Sequence, residues 1–468
     1  MASGPMAAPP RRVLVHDCEV VVAMDEAGTE LAGGSILIED GRITWVGTGE
    51  PPSGEGQPAE PVDGRGAVAL PGLVNAHHHL YQVLTRVRAM DQGLFGWLTE
   101  LYPVWAGIDA EWERAAVRVG LAELALSGCT TTTDHHYVFP PAVPGLLEAE
   151  VEAAAEIGLR FHPCRGSMDL GRSKGGLPPD SIVQETDDVL AETEAAIRRF
   201  YDPEPGSMLR IAVAPCSPFS ATERLMRLSA DLARGLGVRL HTHIAETKDE
   251  EAFCLERFGR RPLELLDHLG YLGPDAWLAH CVHLNDRDVL RLAETSTGVA
   301  WCPTSNLRLG SGIAPGPALH RAGAWVGLGV DGSASNDAGN VLAEARQAML
   351  VGRAEGTERG IKLGITARDV LRMATGGGAA CLGRDDVGSI EVGKRADIAL
   401  FDVGGLAFAG AEADPVAALV FCAPQRVRDL FVDGRRVVSG GRLVTAEEEA
   451  IAREGHRVAR RILERVDA

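Results

Sequence analysis

Short apolar runs recur through the middle of the chain, each ending in small or polar residues. They lie at 68–75, 129–134, 159–164, 209–214, 238–243, 276–281, 298–303 and 326–331. Most are followed by a stretch with apolar positions at helical spacing, as at 111–126, 146–157, 189–200, 223–236 and 287–295. Continuous apolar strands joined by helical crossovers predict a parallel sheet buried on both faces. Eight such units over roughly 300 residues predict a (β/α)8 TIM-like barrel.

Towards both ends the pattern changes to β-branched runs broken by tight turns. Asp40 and Gly41 separate two apolar runs, and Asp433 and Gly434 do the same near the other end. An Asp-Gly pair in that setting is a strong hairpin signal. The pattern predicts a small discontinuous β-sandwich domain built from both chain ends, 1–66 and 383–445, beside a barrel of 67–382. Ile451, Val458, Ile462 and Val466 at helical spacing predict a C-terminal helix over 446–468. The start, Met1 to Arg12, carries prolines and arginines with no apolar core behind them and reads as a frayed end.

Composition narrows the function classes. The 468 residues carry a formal net charge of −19, which disfavours nucleic acid and anionic membrane as partners. No apolar run reaches the ~18–20 residues of a membrane span. The nine cysteines are scattered and never arranged as CxxC, so they read as reduced thiols of a cytoplasmic protein. Composition thus argues against a membrane protein, a secreted mini-domain and a DNA-binding protein.

The chemistry sits where the predicted barrel strands end, as catalytic groups of such barrels do. The first strand runs into His77, His78 and His79. Side chains alternate along extended chain, so His77 and His79 share a face and suit one metal ion. Three loop histidines without a ligand would explain that triplet taken alone. The fifth strand, however, ends with His241, His243 and then Glu246, the sixth with His280, and the eighth with Asp331. Four strand ends that all supply His or Asp are hard to explain as core residues. Three imidazoles and a carboxylate suit a divalent transition metal, and an open position makes such a site catalytic. Glu246 has the type and place for proton shuttling.

These residues, with the run LPGLVNAHHH at 70–79, VDGS at 330–333 and VGSIEVGKRAD at 387–397, resemble the amidohydrolase superfamily over essentially 13–440. Local strings such as PCSPF at 215–219 and CPTSN at 302–306 are most similar to its branch of aromatic deaminases and triazine hydrolases. The resemblance implies that His77, His79, His243 and Asp331 hold one divalent metal per subunit, Zn2+ by default and Fe2+ as the alternative. It implies Glu246, His280 and Asp331 as catalytic residues, and a homo-oligomer. The fourth strand carries no Lys, which argues against a binuclear site. Retention of Glu246 and Asp331 favours hydrolytic deamination of an aminated heterocycle. The first expectation is 8-oxoguanine, giving urate and ammonia. A pterin of the isoxanthopterin type, guanine or an s-triazine is the alternative ring. A barrel that binds metal or ligand without catalysis is the alternative from another class.

The predicted pocket draws on the first barrel loop, with Tyr81, Gln82 and Trp97 placed to stack or read a flat ring. His136, Cys216 and Asn306, each just past a strand end, complete the substrate-binding set. Ordinary loop packing serves equally for each aromatic. The glycine-rich stretch 167–176 reads as either a lid or a solvated loop.

Overall fold

The apolar runs of the middle of the chain close on themselves. In the computed structural model, which describes residues 12–52, 58–358, 360, 364–422 and 426–466, eight parallel strands form a closed barrel. They are β1 (Leu73–Asn75), β2 (Cys129–His136), β3 (Arg160–Ser167), β4 (Ala212–Pro215), β5 (Arg239–Ile244), β6 (Ala276–His280), β7 (Gly298–Trp301) and β8 (Val326–Leu328). Closure is made by Leu328 of β8 opposite Asn75 of β1. Three helices between β1 and β3 matter below: α1 (Leu94–Trp105), α2 (Ala110–Leu126) and α3 (Leu146–Ile157). The second of them begins where the Asp109 carboxylate accepts a hydrogen bond from Trp112 N–H, with Glu111 and Glu113 in its positive first turn. The third stops at Gly158, whose φ of 87° ends the helix in the left-handed region.

Both chain ends build two further sheets. Gly34–Glu39, Arg42–Thr48, Arg12–His16 and Glu60–Asp63 form a four-stranded sheet. A seven-stranded sheet joins Val20–Val22, Glu30–Ala32 and Ala67–Pro71 to Ile398–Asp402, Asp429–Val432, Arg435–Ser439 and Arg442–Leu443. Strand alternation gives the larger sheet two apolar faces. Ala67, Ala69, Ile398 and Leu400 pack against Val13, Val15 and Ile36 of the smaller sheet. Val68, Leu70, Ala399 and Phe401 belong instead to the barrel's large core. Both Asp-Gly pairs are two-residue hairpin turns, with φ of 47° and 77° at Asp40 and Gly41 and of 54° and 71° at Asp433 and Gly434. The terminal helix runs Glu448–Val466 and buries Ile451, Val458 and Ile462. The start up to Arg11 and the last two residues of the expected helix lie outside the described residues. No helix among the described residues is long and apolar enough to cross a membrane.

The run at 68–75 is not one barrel strand, as the pattern predicts, but two strands of different sheets. Ala67–Pro71 pairs antiparallel with Ile398–Asp402, and only Leu73–Asn75 enters the barrel. The break falls at Gly72, whose N–H donates to the Asp397 carbonyl while Leu73 N–H donates to Gly128. A Cβ at Gly72 would lie 2.1 Å from Thr130 Oγ1. Gly72→Ala is therefore expected to cost about 1–3 kcal/mol through overpacking. Urea unfolding that leaves the midpoint unchanged would contradict this.

Candidate metal centre and active site

The barrel's C-terminal mouth gathers the histidines. His79 Nε2 lies 3.0 Å from His243 Nε2, and Asp331 Oδ1 lies 3.4 Å from His77 Nε2 and 3.3 Å from His79 Nε2. Hydrogen bonds on the far side of each ring orient these nitrogens. His79 Nδ1–H donates to the His135 carbonyl and His243 Nδ1–H to the Cys216 carbonyl, each at 2.7 Å. His77 Nδ1 bonds His241 Nε2 at 2.9 Å, and His241 Nδ1–H donates to the Trp277 carbonyl at 2.8 Å. Because a carbonyl only accepts, His241 must accept from His77. All three ligand candidates therefore present a bare Nε2 to the same spot, and His77 Nε2 has no other partner. His77, His79 and Asp331 form one group with metal-binding spacing, and His77, His243 and His280 another. The donor set fits a divalent metal.

Burial keeps the His79, His243 and His280 rings neutral. It pushes His79 and His243 well below the ordinary imidazole value, helped by the neighbouring histidines, and lowers His280 to about 4. Burial alone would raise Asp331, but the hydrogen bond and charge of His77, with His280 and His79, hold it well below the usual carboxylate range. Glu246 behaves oppositely. Burial and the charges of Asp331 and Glu250 raise it well above that range, so its carboxyl keeps a proton. Its Oε2 lies 3.6 Å from His280 Nε2.

The backbone is bent to aim these groups. Ala245, His280 and Asp331 all have φ between 52° and 72°, a conformation costly for residues other than glycine. Two glycines after β8 give the site its room. A Cβ at Gly329 would lie 2.6 Å from His77 Cβ, and one at Gly332 would lie 1.9 Å from Gln82 Oε1. Asp331 is steadied by Gly332 N–H at Oδ1 and by Ser335 Oγ–H at Oδ2.

Above this centre is a cavity lined by Trp97, Leu98, Tyr102, Tyr137 and Phe219. Glu246, His280, Asp331, Gln82 and Cys216 also face it. Of the expected substrate-binding residues, Gln82, Trp97 and Cys216 are thus brought to the cavity. Tyr81, Asn306 and His136 are not. Tyr81 packs against Trp105 and His136, Asn306 bonds His280 Nδ1 at 3.0 Å, and His136 turns outward towards Glu113 and Glu150. Strand parity explains the last: in β2 His135 points into the barrel and its neighbour must point out. Ser335 escapes the motif reading and His241 enters it only as a strand-end histidine, because their orienting of Asp331 and His77 is visible only through hydrogen bonds. The stretch 167–176 begins as a pinned segment. Met168, Asp169 and Leu170 are buried, and Asp169 accepts hydrogen bonds from Thr222 N–H and Oγ–H and from Thr186 Oγ–H.

Comparison with known proteins gives the family. Residues 68–437 match the amidohydrolase family model. The chain is 49% identical over 419 residues to an 8-oxoguanine deaminase of Pseudomonas aeruginosa, covering 88% of this chain and 91% of the relative. It is 39% identical over 457 residues to a hydroxydechloroatrazine ethylaminohydrolase of a Pseudomonas species, covering 95% and 94%. The crystal structure of an atrazine chlorohydrolase from Arthrobacter aurescens, complexed with zinc, superposes with a TM-score of 0.90 at 34% identity, over 96% of this chain and all of that one. On its sequence, its barrel and its metal-binding mouth, the chain belongs to the amidohydrolase family.

Proposed function

We propose that this protein is a metal-dependent hydrolytic deaminase whose first substrate is 8-oxoguanine, converted to urate and ammonia. The observation that carries the reading is a buried Glu246 facing the proposed three-histidine, one-aspartate centre at the floor of an aromatic-walled cavity. The 49% identity to an 8-oxoguanine deaminase supports the choice of ring. A divalent metal held by His77, His79, His243 and Asp331, which we assign as Zn2+, supplies a water activated towards neutrality.

Residues of this chain do the rest. Trp97, Tyr102 and Phe219 exclude water and hold the flat ring. Gln82 Oε1, fully buried and without a partner, reads an N–H on the ring edge. The Glu246 carboxyl gives its proton to the ring nitrogen beside the amine-bearing carbon. Asp331 takes one proton of the attacking water and passes it to the departing amine, and the other returns from the new hydroxyl to Glu246 as the ring carbonyl forms. His280 completes the relay at Nε2, and Asn306 sets its tautomer. With its nitrogen turned inward Asn306 donates to Nδ1; turned over, its oxygen accepts from Nδ1–H. Oδ1 has no other partner to lose in that turn.

Ammonia release decides the matter. Metal-replete protein is expected to deaminate 8-oxoguanine with a kcat/KM at least about tenfold above guanine, isoxanthopterin and aminotriazines. Preference for another ring would move the substrate within the family. No ammonia from any of them would refute the deaminase reading. Elemental analysis of active protein distinguishes zinc from iron.

A further inference from the structure

A second cluster of ionisable groups lies on the outer side of β2, unused by the chemistry above. Glu113 comes from the first turn of α2, Asp134 and His136 from the end of β2, and Glu150 from α3. All four side chains are fully buried. One ligand atom from each lies within 4.8 Å of all the others.

His136 has the orientation of a metal ligand. Its Nε2–H donates to the Val138 carbonyl at 2.8 Å. That leaves Nδ1 directed at Glu150 Oε1, 2.8 Å away, and Glu113 Oε1, 3.3 Å away. His79 and His243 are fixed in the same way, with one nitrogen on a backbone carbonyl and the other turned to the metal position. Each carboxylate is only half partnered, with one oxygen turned to His136 or Leu80 and the other left bare. Asp134 Oδ1 accepts from Leu80 N–H at 2.6 Å, but its Oδ2 and the Oε2 atoms of Glu113 and Glu150 have no hydrogen bond. Three carboxylates left so in a dry interior are too costly to remain uncompensated.

We propose that Glu113, Asp134, His136 and Glu150 bind a second divalent cation, structural and separate from the catalytic metal. One imidazole and three carboxylates suit Zn2+, Mn2+ or Fe2+, whereas Mg2+ usually keeps several waters and favours all-oxygen ligands. Four protein ligands and no open position make the site closed, as structural metal sites are. The Tyr81 and Phe139 rings lie against His136, with centroids 5.0 and 4.4 Å from it. Bound there, the cation fastens α2 and α3 to β2. Through Asp134 and Leu80 it also steadies the segment that carries His79.

The competing way to neutralise the cluster is protons, as an imidazolium with protonated carboxyls. In the absence of a cation, burial pushes Glu150 up to about 7 and Asp134 well above the carboxylate range, while Glu113 and Glu150 overcome burial to raise His136 well above the ordinary imidazole value. Metal counting separates the two. Protein produced with zinc, manganese and iron supplied, then passed over a chelating resin, is expected to carry two metal equivalents per chain. The Glu113→Gln, Glu150→Gln double variant is expected to carry one, with native circular dichroism. A single equivalent in the unmodified protein, or two in the variant, overturns the proposal. Should the variant not fold, anomalous diffraction from unmodified crystals decides: a peak among the four side chains supports the cation, and a peak at the histidines alone refutes it.

Discussion

Glu246→Gln is expected to lower kcat by about 10²–10⁴-fold, the usual contribution of a positioned general acid or base. Burial, Asp331 and Glu250 keep the Glu246 carboxyl protonated, so at neutral pH it can give a proton to a ring nitrogen. The amide of Gln has nearly the same shape and can donate a hydrogen bond, but it cannot transfer the proton. KM should therefore change little while kcat falls. Metal content should stay the same, because Glu246 belongs to none of the groups with metal-binding spacing among the described residues; its Oε1 lies towards Ser311 Oγ at 3.5 Å and its Oε2 towards His280. Steady-state kinetics with elemental analysis checks both halves. A kcat within threefold of the unmodified protein would remove Glu246 from the proton path. Loss of metal together with activity would place its role in ligand binding instead.

Asp397→Ala should be the most damaging single substitution for stability. Arg160, fully buried at the start of β3, donates to both Asp397 oxygens, from Nε at 3.1 Å and from Nη2 at 2.9 Å. Asp397 Oδ1 also accepts from Asp433 N–H at 2.8 Å, so the ion pair ties the barrel floor to the outer sheet. Removing one partner leaves the guanidinium buried with only the Gly206 and Ser207 carbonyls and a distant Asp433 oxygen. Breaking such a pair costs about 3–5 kcal/mol. The double variant Arg160→Met, Asp397→Leu should recover much of that, since it leaves no charge stranded. Denaturant midpoints at constant m-value measure both. Equal losses in the single and double variants would mean that packing, not charge, holds this junction.

Much of this was legible in the sequence, for identifiable reasons. The barrel strands stand out because burial on both faces makes each a continuous apolar run. His77 and His79 could be paired because alternation along extended chain puts them on one face. Glu246, His280 and Asp331 could be placed at the mouth because each follows an apolar run within a few residues. What stayed hidden depends on hydrogen-bond direction and on strand parity. Asn306 reads as a pocket residue by position, yet its amide is taken by His280. His136 reads as a neighbour of the substrate, yet its parity in β2 sends it into the helical layer. The division at Gly72 leaves no mark in an uninterrupted apolar run, because the same residue types suit either sheet.

That division has a consequence for the order in which the protein becomes competent. Ala67–Pro71 finds its antiparallel partner only in Ile398–Asp402, near the far end of the chain. A ribosome delivers the histidines of the proposed metal centre early, but the strand leading to them has no partner on that flank until almost the whole sequence has emerged. The catalytic centre is therefore among the last parts to set. A truncated or stalled chain that lacks its final seventy or so residues would hold every ligand of the centre and still be unable to fix His77 and His79 in place.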